Sequence, residues 1–197
     1  MQKIHAQVIL GLLALLIALP AVSAVSIPYG YYLGGSVGWA KIYDKNYSGS
    51  VSHSGLGAGI NVGYKFNPFM AFEFNGTHYA DTVIKDVNTT VARDSHYSYS
   101  AQGKLMFPLG SSGASVVGKV GVSRLQSNLK ISNCGVAAQN GLTCQTVSHY
   151  ATGLYLAAGG EYSVTPNLLT NIEIARAQGN SHTGDAAILS LGASYIF

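Results

Sequence analysis

The stretch that decides the fold is Leu56-Gly57-Ala58-Gly59-Ile60-Asn61-Val62-Gly63-Tyr64-Lys65-Phe66. Every second residue from Leu56 to Phe66 is apolar, whereas the residues between them are glycine, asparagine and lysine. This period of two is typical of a β-strand, because successive side chains point to opposite faces of a sheet. One face is too apolar for a surface in water, and the other is too polar for a packed core. A membrane barrel satisfies both faces, since its outer wall contacts lipid and its interior is polar.

Segments with the same alternation recur along the chain. They lie at 31–42, 55–66, 69–80, 96–107, 115–125, 149–162, 168–177 and 186–197. Each is close to the roughly ten residues that a tilted strand needs to cross a bilayer. The sequence therefore predicts an all-β fold, an eight-stranded antiparallel up-and-down transmembrane β-barrel.

The prolines and the connections support this strand assignment. Proline cannot donate a hydrogen bond to a strand ladder, so it is expected in turns or at strand ends. Pro68, Pro108 and Pro166 fall in the second, fourth and sixth connections, and Pro28 precedes the first strand. The other connections, at 43–54, 81–95, 126–148 and 178–185, are longer and polar. Alternation of short turns with long loops is typical of outer-membrane barrels, whose short turns face the periplasm.

Residues 1–24 have the pattern of a secretory signal peptide. Lys3 supplies the positive charge, Val8 to Leu19 is apolar, and small residues precede a cut after Ala24. The alternative, a transmembrane anchor, is disfavoured because the apolar run is short for a bilayer core of about 30 Å. We expect the barrel domain to occupy residues 25–197. Ten basic and eight acidic residues remain there, and this small net charge indicates neither a nucleic-acid partner nor an acidic substrate.

The charged residues separate by position. Glu73, Glu161 and Glu173 fall inside predicted strands on the inward face, as do Lys104 and Lys119, whereas all five aspartates lie in or beside the long loops. An eight-stranded barrel is narrow enough for side chains to fill it. The five inward residues therefore predict a charge network that plugs the lumen. The alternative is that they line a narrow or gated pore.

Cys134 and Cys144 are the only cysteines, and both lie in the longest predicted loop. Export through an oxidising compartment favours a disulfide between them. A free or metal-binding pair is the alternative, although two cysteines without nearby histidines make a poor zinc site.

Neither catalysis nor a cofactor is indicated. His96-Tyr97-Ser98 contains a His-x-Ser pair, but a serine hydrolase also needs a carboxylate that orients the histidine, and no pattern ties an acid to this pair. The glycine-rich run 55–59 continues the strand alternation instead of opening a helix, so it does not predict a nucleotide site. We expect no enzyme activity and no bound metal.

A Ser-His dipeptide precedes or opens each descending strand. The histidines are His53, His96, His149 and His182, and His78 is expected near the same rim. The simplest interpretation is hairpin ancestry or an interfacial preference. The sharper hypothesis is a rim that gains positive charge near pH 6.5 and contacts lipopolysaccharide phosphates. Metal capture is disfavoured, because histidines on alternate strands are expected to lie too far apart to share an ion.

The chain ends in alternating apolar residues that finish with Tyr195 and Phe197. This ending resembles the terminal signal by which the barrel-assembly machinery recognises outer-membrane proteins. Residues 31–197, with strands such as Gly34-Gly35-Ser36-Val37-Gly38-Trp39, resemble the OmpA-like transmembrane barrel family, which includes small surface barrels of the OmpX, Ail and opacity types. No peptidoglycan-binding domain follows Phe197, so a cell-wall tether is not expected.

The resemblance implies a location in the outer membrane of a Gram-negative bacterium, with lipid and lipopolysaccharide as neighbours. It also implies that function lies in the surface loops, in structural support, adhesion or resistance to host defence, through a host or surface ligand that the sequence does not name. A narrow pore is the alternative function. A lipid A-modifying enzyme, which some small barrels are, is a weaker one.

Overall fold

The computed structural model describes residues 28–43, 50–86, 89–131, 134–135 and 144–197. The predicted signal peptide lies outside these residues. Ten strands are described: β1 Gly30–Tyr43, β2 Ser50–Ser52, β3 Ser54–Lys65, β4 Met70–His78, β5 Thr82–Asp86, β6 Thr89–Pro108, β7 Ala114–Ile131, β8 Val147–Ser163, β9 Leu168–Ala177 and β10 Asp185–Ile196. Among the described residues, no helix is long and apolar enough to cross a bilayer.

Eight of the described strands close into a barrel. The order is β1, β3, β4, β6, β7, β8, β9, β10, and β10 pairs back to β1, with every neighbouring pair antiparallel. This confirms the predicted up-and-down, eight-stranded barrel. We call the end with the short connections 66–69, 109–113 and 164–167 the turn end, and the opposite end the loop end.

The outer wall is apolar, as the period-two pattern requires. In the deciding stretch, Leu56 is 77% exposed and Ile60 is 70% exposed, whereas Lys65 on the other parity is only 5% exposed. Such side chains would be unfavourable in water at about 25 cal/mol per Å² of apolar surface. A bilayer removes that cost, because lipid chains cover the wall.

Aromatic side chains are concentrated at the turn end of this wall, where barrels carry an interfacial girdle. They include Tyr31, Tyr64, Phe66, Phe69, Phe107, Tyr195 and Phe197. Edge-to-face contacts join Tyr31 to Tyr64 and Tyr195 to Phe197, with ring centroids 4.9 and 5.3 Å apart.

At the loop end the strands run further than predicted. The expected loop 81–95 contains β5 and the first residues of β6, and β7 continues to Ile131. β6 and β7 remain paired up to Ala92 opposite Ile131, and β2 pairs with β5. These segments were missed because they lack an apolar outer face, so the alternation that marks the membrane strands is absent. We call β5, residues 89–95 and residues 126–131 the projecting sheet.

Candidate functional site: the lumen and the loop end

A charge network crosses the middle of the lumen. Lys119 on β7 places its Nζ 2.7 Å from Oε1 of Glu73 on β4 and 2.8 Å from Oε2 of Glu173 on β9. All three side chains are inward on their strands, as the sequence parity predicts, and Glu73 is 1% exposed. Because a lone buried charge is costly, this pairing is what makes the charges compatible with a narrow interior.

Glu73 is the centre of this network. Beside Lys119, its carboxylate accepts hydrogen bonds from Gln102 Nε2 at 2.6 Å, from the Tyr32 hydroxyl at 2.9 Å and from Asn61 Nδ2 at 3.4 Å. Gly63 leaves the room that Tyr32 needs, since a Cβ built on it would lie 2.4 Å from Tyr32 Cζ. The carboxylate is thus neutralised by one cation and solvated by protein groups in place of water.

A second ion pair joins Lys104 to Glu161. Both are buried, and so is Lys65, which the sequence parity placed inward but which was not included among the predicted network residues. With Lys65, this part of the lumen contains three cations and three carboxylates. The signal that could have identified it is its position on the same face as Asn61 and Gly63.

Two apolar layers, each a cluster of buried side chains, lie on either side of the Glu73–Lys119–Glu173 network. The layer on the turn-end side consists of Tyr32, Ala71, Met106, Val117, Leu169 and Ile196. The layer on the loop-end side includes Ala40, Ile42, Tyr79, Leu125, Tyr155 and Ile188. Along β4 the inward residues run from Ala71 through Glu73 to Tyr79 just beyond the strand, which is the order of the three layers. The lumen is filled by side chains, as expected for eight strands.

Asp94 corrects the prediction that every aspartate lies in or beside a loop. It is an inward residue of β6, 1% exposed, and Ser127 Oγ on β7 lies 2.7 Å from both of its carboxylate oxygens. His96 Nε2 is 3.5 Å from Asp94 Oδ2. These three residues form a buried polar cluster above the loop-end apolar layer.

The position of His96 also corrects the predicted rim of histidines. His96 is 1% exposed inside the barrel, so it cannot contact lipopolysaccharide phosphates. His53 and His149 are half-buried on the inward parity of their strands, and only His182 is exposed. A strand that extends past the membrane keeps its alternation, so it turns the histidine of the Ser-His dipeptide inward and the serine outward.

His149 and His182 lie closer together than expected. Their rings stack with centroids 5.1 Å apart, so the argument that these histidines lie too far apart was wrong for this pair. The turn that holds His182 is fixed by Asn180, whose Oδ1 accepts the His182 backbone N–H at 2.9 Å. Within the described residues, no group of three or more potential metal ligands is found.

His96 and Ser98 do not form a hydrolase site. Both side chains are inward and buried, and Ser98 Oγ lies 3.0 Å from the Tyr79 hydroxyl. A serine hydrolase requires an acid that lies behind a histidine, with the histidine facing the serine nucleophile. Asp94 instead binds Ser127 and lies beside His96.

The remaining predicted residues lie at opposite ends of the molecule. Cys134 and Cys144 form the predicted disulfide between β7 and β8. Phe197 lies at the turn end, where its backbone N–H donates to the Tyr31 carbonyl at 3.0 Å and its ring is 72% exposed. The ring packs edge-to-face on Tyr195 and otherwise faces the lipid side of the wall.

A lipid-covered outer wall, a filled polar lumen and an alternation of short turns with long connections define a small outer-membrane β-barrel. The chain belongs to the outer membrane protein beta-barrel domain family, whose model matches residues 10–197. It is an outer-membrane protein of Gram-negative type.

Curated relatives cover most of this chain. Outer membrane protein A of Shigella dysenteriae is 28% identical over 183 residues, which are 85% of this chain and 48% of the relative. Outer membrane protein A of Salmonella typhi is 28% identical over 186 residues, which again are 85% of this chain and 48% of the relative. The chain thus spans about half the length of these relatives.

Solved structures share the fold at low identity. Neisserial surface protein A aligns with a TM-score of 0.63 at 18% identity, covering 85% of this chain and 97% of that one. OprG from Pseudomonas aeruginosa aligns with a TM-score of 0.61 at 11% identity, covering 88% of this chain and 100% of that one. Ail, the attachment invasion locus protein of Yersinia pestis, was solved in complex with the heparin analogue sucrose octasulfate. That structure aligns with a TM-score of 0.55 at 18% identity, covering 85% of this chain and 99% of that one.

Proposed function

We propose that this protein is a surface-interaction barrel, a rigid membrane platform whose loop end binds an acidic glycan outside the cell. The observation that carries the proposal is the projecting sheet. It continues the barrel wall beyond the apolar band as paired strands. In outer-membrane barrels the long connections face the outside, so this sheet would face the surroundings of the cell.

The charges of the projecting sheet favour an anionic partner. Arg93 on β6 and Lys130 on β7 lie directly opposite each other and point outward. Like charges directly opposite on neighbouring strands are destabilising. Within the part of the chain that the structure describes, Asp81 relieves this for Arg93, with Oδ2 3.2 Å from Arg93 Nη1. A sulfated or carboxylated glycan would complete the neutralisation, which fits the heparin analogue bound by Ail.

A pore and a lipid-modifying enzyme receive less support from the structure. The three-layered filling of the lumen disfavours a narrow pore, and the buried positions of His96 and Ser98 disfavour a lipid-modifying hydrolase. We therefore include in the proposal that the protein is not an enzyme. Lipopolysaccharide in the outer leaflet and the barrel-assembly machinery remain its proposed cellular partners.

Adhesion measurements test the proposal. Whole cells that express the wild type should bind immobilised heparin. An Arg93→Gln/Lys130→Gln variant should lose most of that binding. Lys41→Gln is the matched control, because Lys41 is also outward and exposed near the loop end but lies on β1, across the barrel.

Heat-modifiable migration on gels would verify that each variant folds, since a closed barrel resists detergent until it is heated. Equal heparin binding by folded wild type and the double variant would refute the glycan-binding role, as would an equal loss in Lys41→Gln.

A further inference from the structure

Two histidine rings meet at the loop end, beyond the apolar part of the wall. His149 lies on the inward parity of β8, and His182 lies in the connection between β9 and β10. Their ring centroids are 5.1 Å apart, and the two ring planes differ by 19°. The barrel fold therefore brings together two imidazoles that come from different elements of the chain.

The nitrogens of both rings are available to a ligand. Within the part of the chain that the structure describes, neither ring takes part in a hydrogen bond or an ion pair. By contrast, His78 lies 3.4 Å from Asp81, and His96 lies 3.5 Å from Asp94. A neutral imidazole has one nitrogen that carries an available lone pair, so the two rings offer two such nitrogens side by side.

The backbone fixes the positions from which both rings project. Asn180 Oδ1 accepts the backbone N–H groups of His182 at 2.9 Å and of Thr183 at 3.1 Å. The Asn180 carbonyl also accepts the backbone N–H of Gly184 at 2.8 Å, which closes the turn. His149 is held by the pairing of β8 with β7. A ligand that binds both rings therefore has to order only their side chains, which lowers the cost of binding.

The separation of the rings fits one shared metal ion. An imidazole nitrogen binds Zn²⁺ at about 2.0–2.1 Å, so two rings that meet one ion near a tetrahedral angle have centroids about 5 Å apart. The centroids of His149 and His182 have this spacing. Because the terminal torsion of a histidine is broad, rotation of the two rings turns one nitrogen of each towards a common point.

The donor atoms select the class of ion. Ca²⁺ and Mg²⁺ take oxygen ligands, whereas imidazole suits Zn²⁺, Ni²⁺ and Cu²⁺, among which Cu²⁺ binds most tightly in the Irving–Williams order. Among the described residues, no third histidine, cysteine or carboxylate is grouped with the pair. Water would complete the coordination, so the site would be open, unlike a closed structural zinc site.

We propose that His149 and His182 form a binding site for a late first-row divalent metal ion, with Cu²⁺ bound most tightly. A bound ion would link the connection between β9 and β10 to β8 and would stabilise the folded loop end by mass action. The site uses neither Arg93 nor Lys130, so it does not depend on the outcome for the glycan-binding role.

The test is Cu²⁺ binding by the purified, folded protein in detergent micelles, produced without a polyhistidine tag. The wild type should bind one Cu²⁺ per chain, and its electron paramagnetic resonance spectrum should show two equatorial imidazole nitrogens. His149→Gln and His182→Gln should each weaken Cu²⁺ binding by more than about tenfold, since even the loss of an outer partner of a metal ligand typically costs that much. Zn²⁺ should compete for the site, and Ca²⁺ should not.

The matched control is His78→Gln, which removes a histidine of the loop end that lies on the outward face beside Asp81 and Tyr97. This variant should bind Cu²⁺ as the wild type does. Wild-type affinity in both folded pair variants, an equal loss in His78→Gln, or a wild-type spectrum with a single nitrogen would overturn the proposal. Because the wild-type spectrum counts the nitrogens directly, it tests the site even if a variant does not fold.

Discussion

At the scale of single residues, stability of the barrel interior depends on how well each buried charge is neutralised. Glu73 is contacted by Lys119, Gln102, Tyr32 and Asn61. Glu173 is contacted by Lys119 and, at 3.4 Å, by Tyr155. The two carboxylates share one cation but differ in the number of groups that would be left unpaired without them.

This difference predicts a graded effect. Glu73→Ala should lower the free energy of unfolding by about 3–5 kcal/mol, because it breaks the Lys119–Glu73 pair and leaves the buried donors of Gln102, Tyr32 and Asn61 without their acceptor, although Lys119 keeps Glu173. Glu173→Ala should cost less, since Lys119 keeps Glu73 and the Glu173 side chain is 12% exposed. Denaturant unfolding in lipid vesicles, followed by fluorescence of the single tryptophan, Trp39, would measure both. Unchanged midpoints in both variants would mean that the network is solvated.

At the scale of strands, the sequence predicts the strand positions correctly where the outer face of the wall contacts lipid. The alternation from Leu56 to Phe66 placed β3 within about a residue, because burial in lipid imposes an apolar outer face on every second position. The prediction of strand positions was wrong beyond the membrane, where water contacts the outer face. Asp94 was therefore assigned to a loop although it is buried in β6, and the partners of His149 and His182 depended on tertiary contacts that no local pattern encodes.

The last strand, β10, predicts a difference between assembly and stability. The ring of Phe197 lies outside the lumen and packs edge-to-face on Tyr195, so Phe197→Ala should lower the unfolding free energy of refolded protein by only about 1 kcal/mol. If the ring is part of the assembly signal, the amount of protein in outer membranes should nevertheless fall several-fold.

The matched control is Tyr29→Ala, which removes another exposed aromatic ring from the turn end, before β1. Its amount in outer-membrane fractions should stay near that of the wild type. Normal outer-membrane levels of Phe197→Ala, or an equal defect in refolding without the assembly machinery, would show that Phe197 is not a recognition signal.

At the scale of the whole molecule, the wall contacts lipid, the lumen is closed by a charged layer between two apolar ones, and the loop end carries the projecting sheet. In this organisation the proposed ligand-binding residues lie apart from the wall that anchors the protein in the membrane. Changes in the projecting sheet should therefore leave the barrel intact.

That side chains fill the lumen is tested most directly by conductance in planar bilayers. Purified wild-type protein, verified as folded by heat-modifiable migration, should insert without producing discrete conductance steps, since buried side chains occupy the lumen between the turn end and the loop end. Reproducible unitary steps from the wild type, absent in a heat-unfolded control, would contradict the claim and restore the pore as its function.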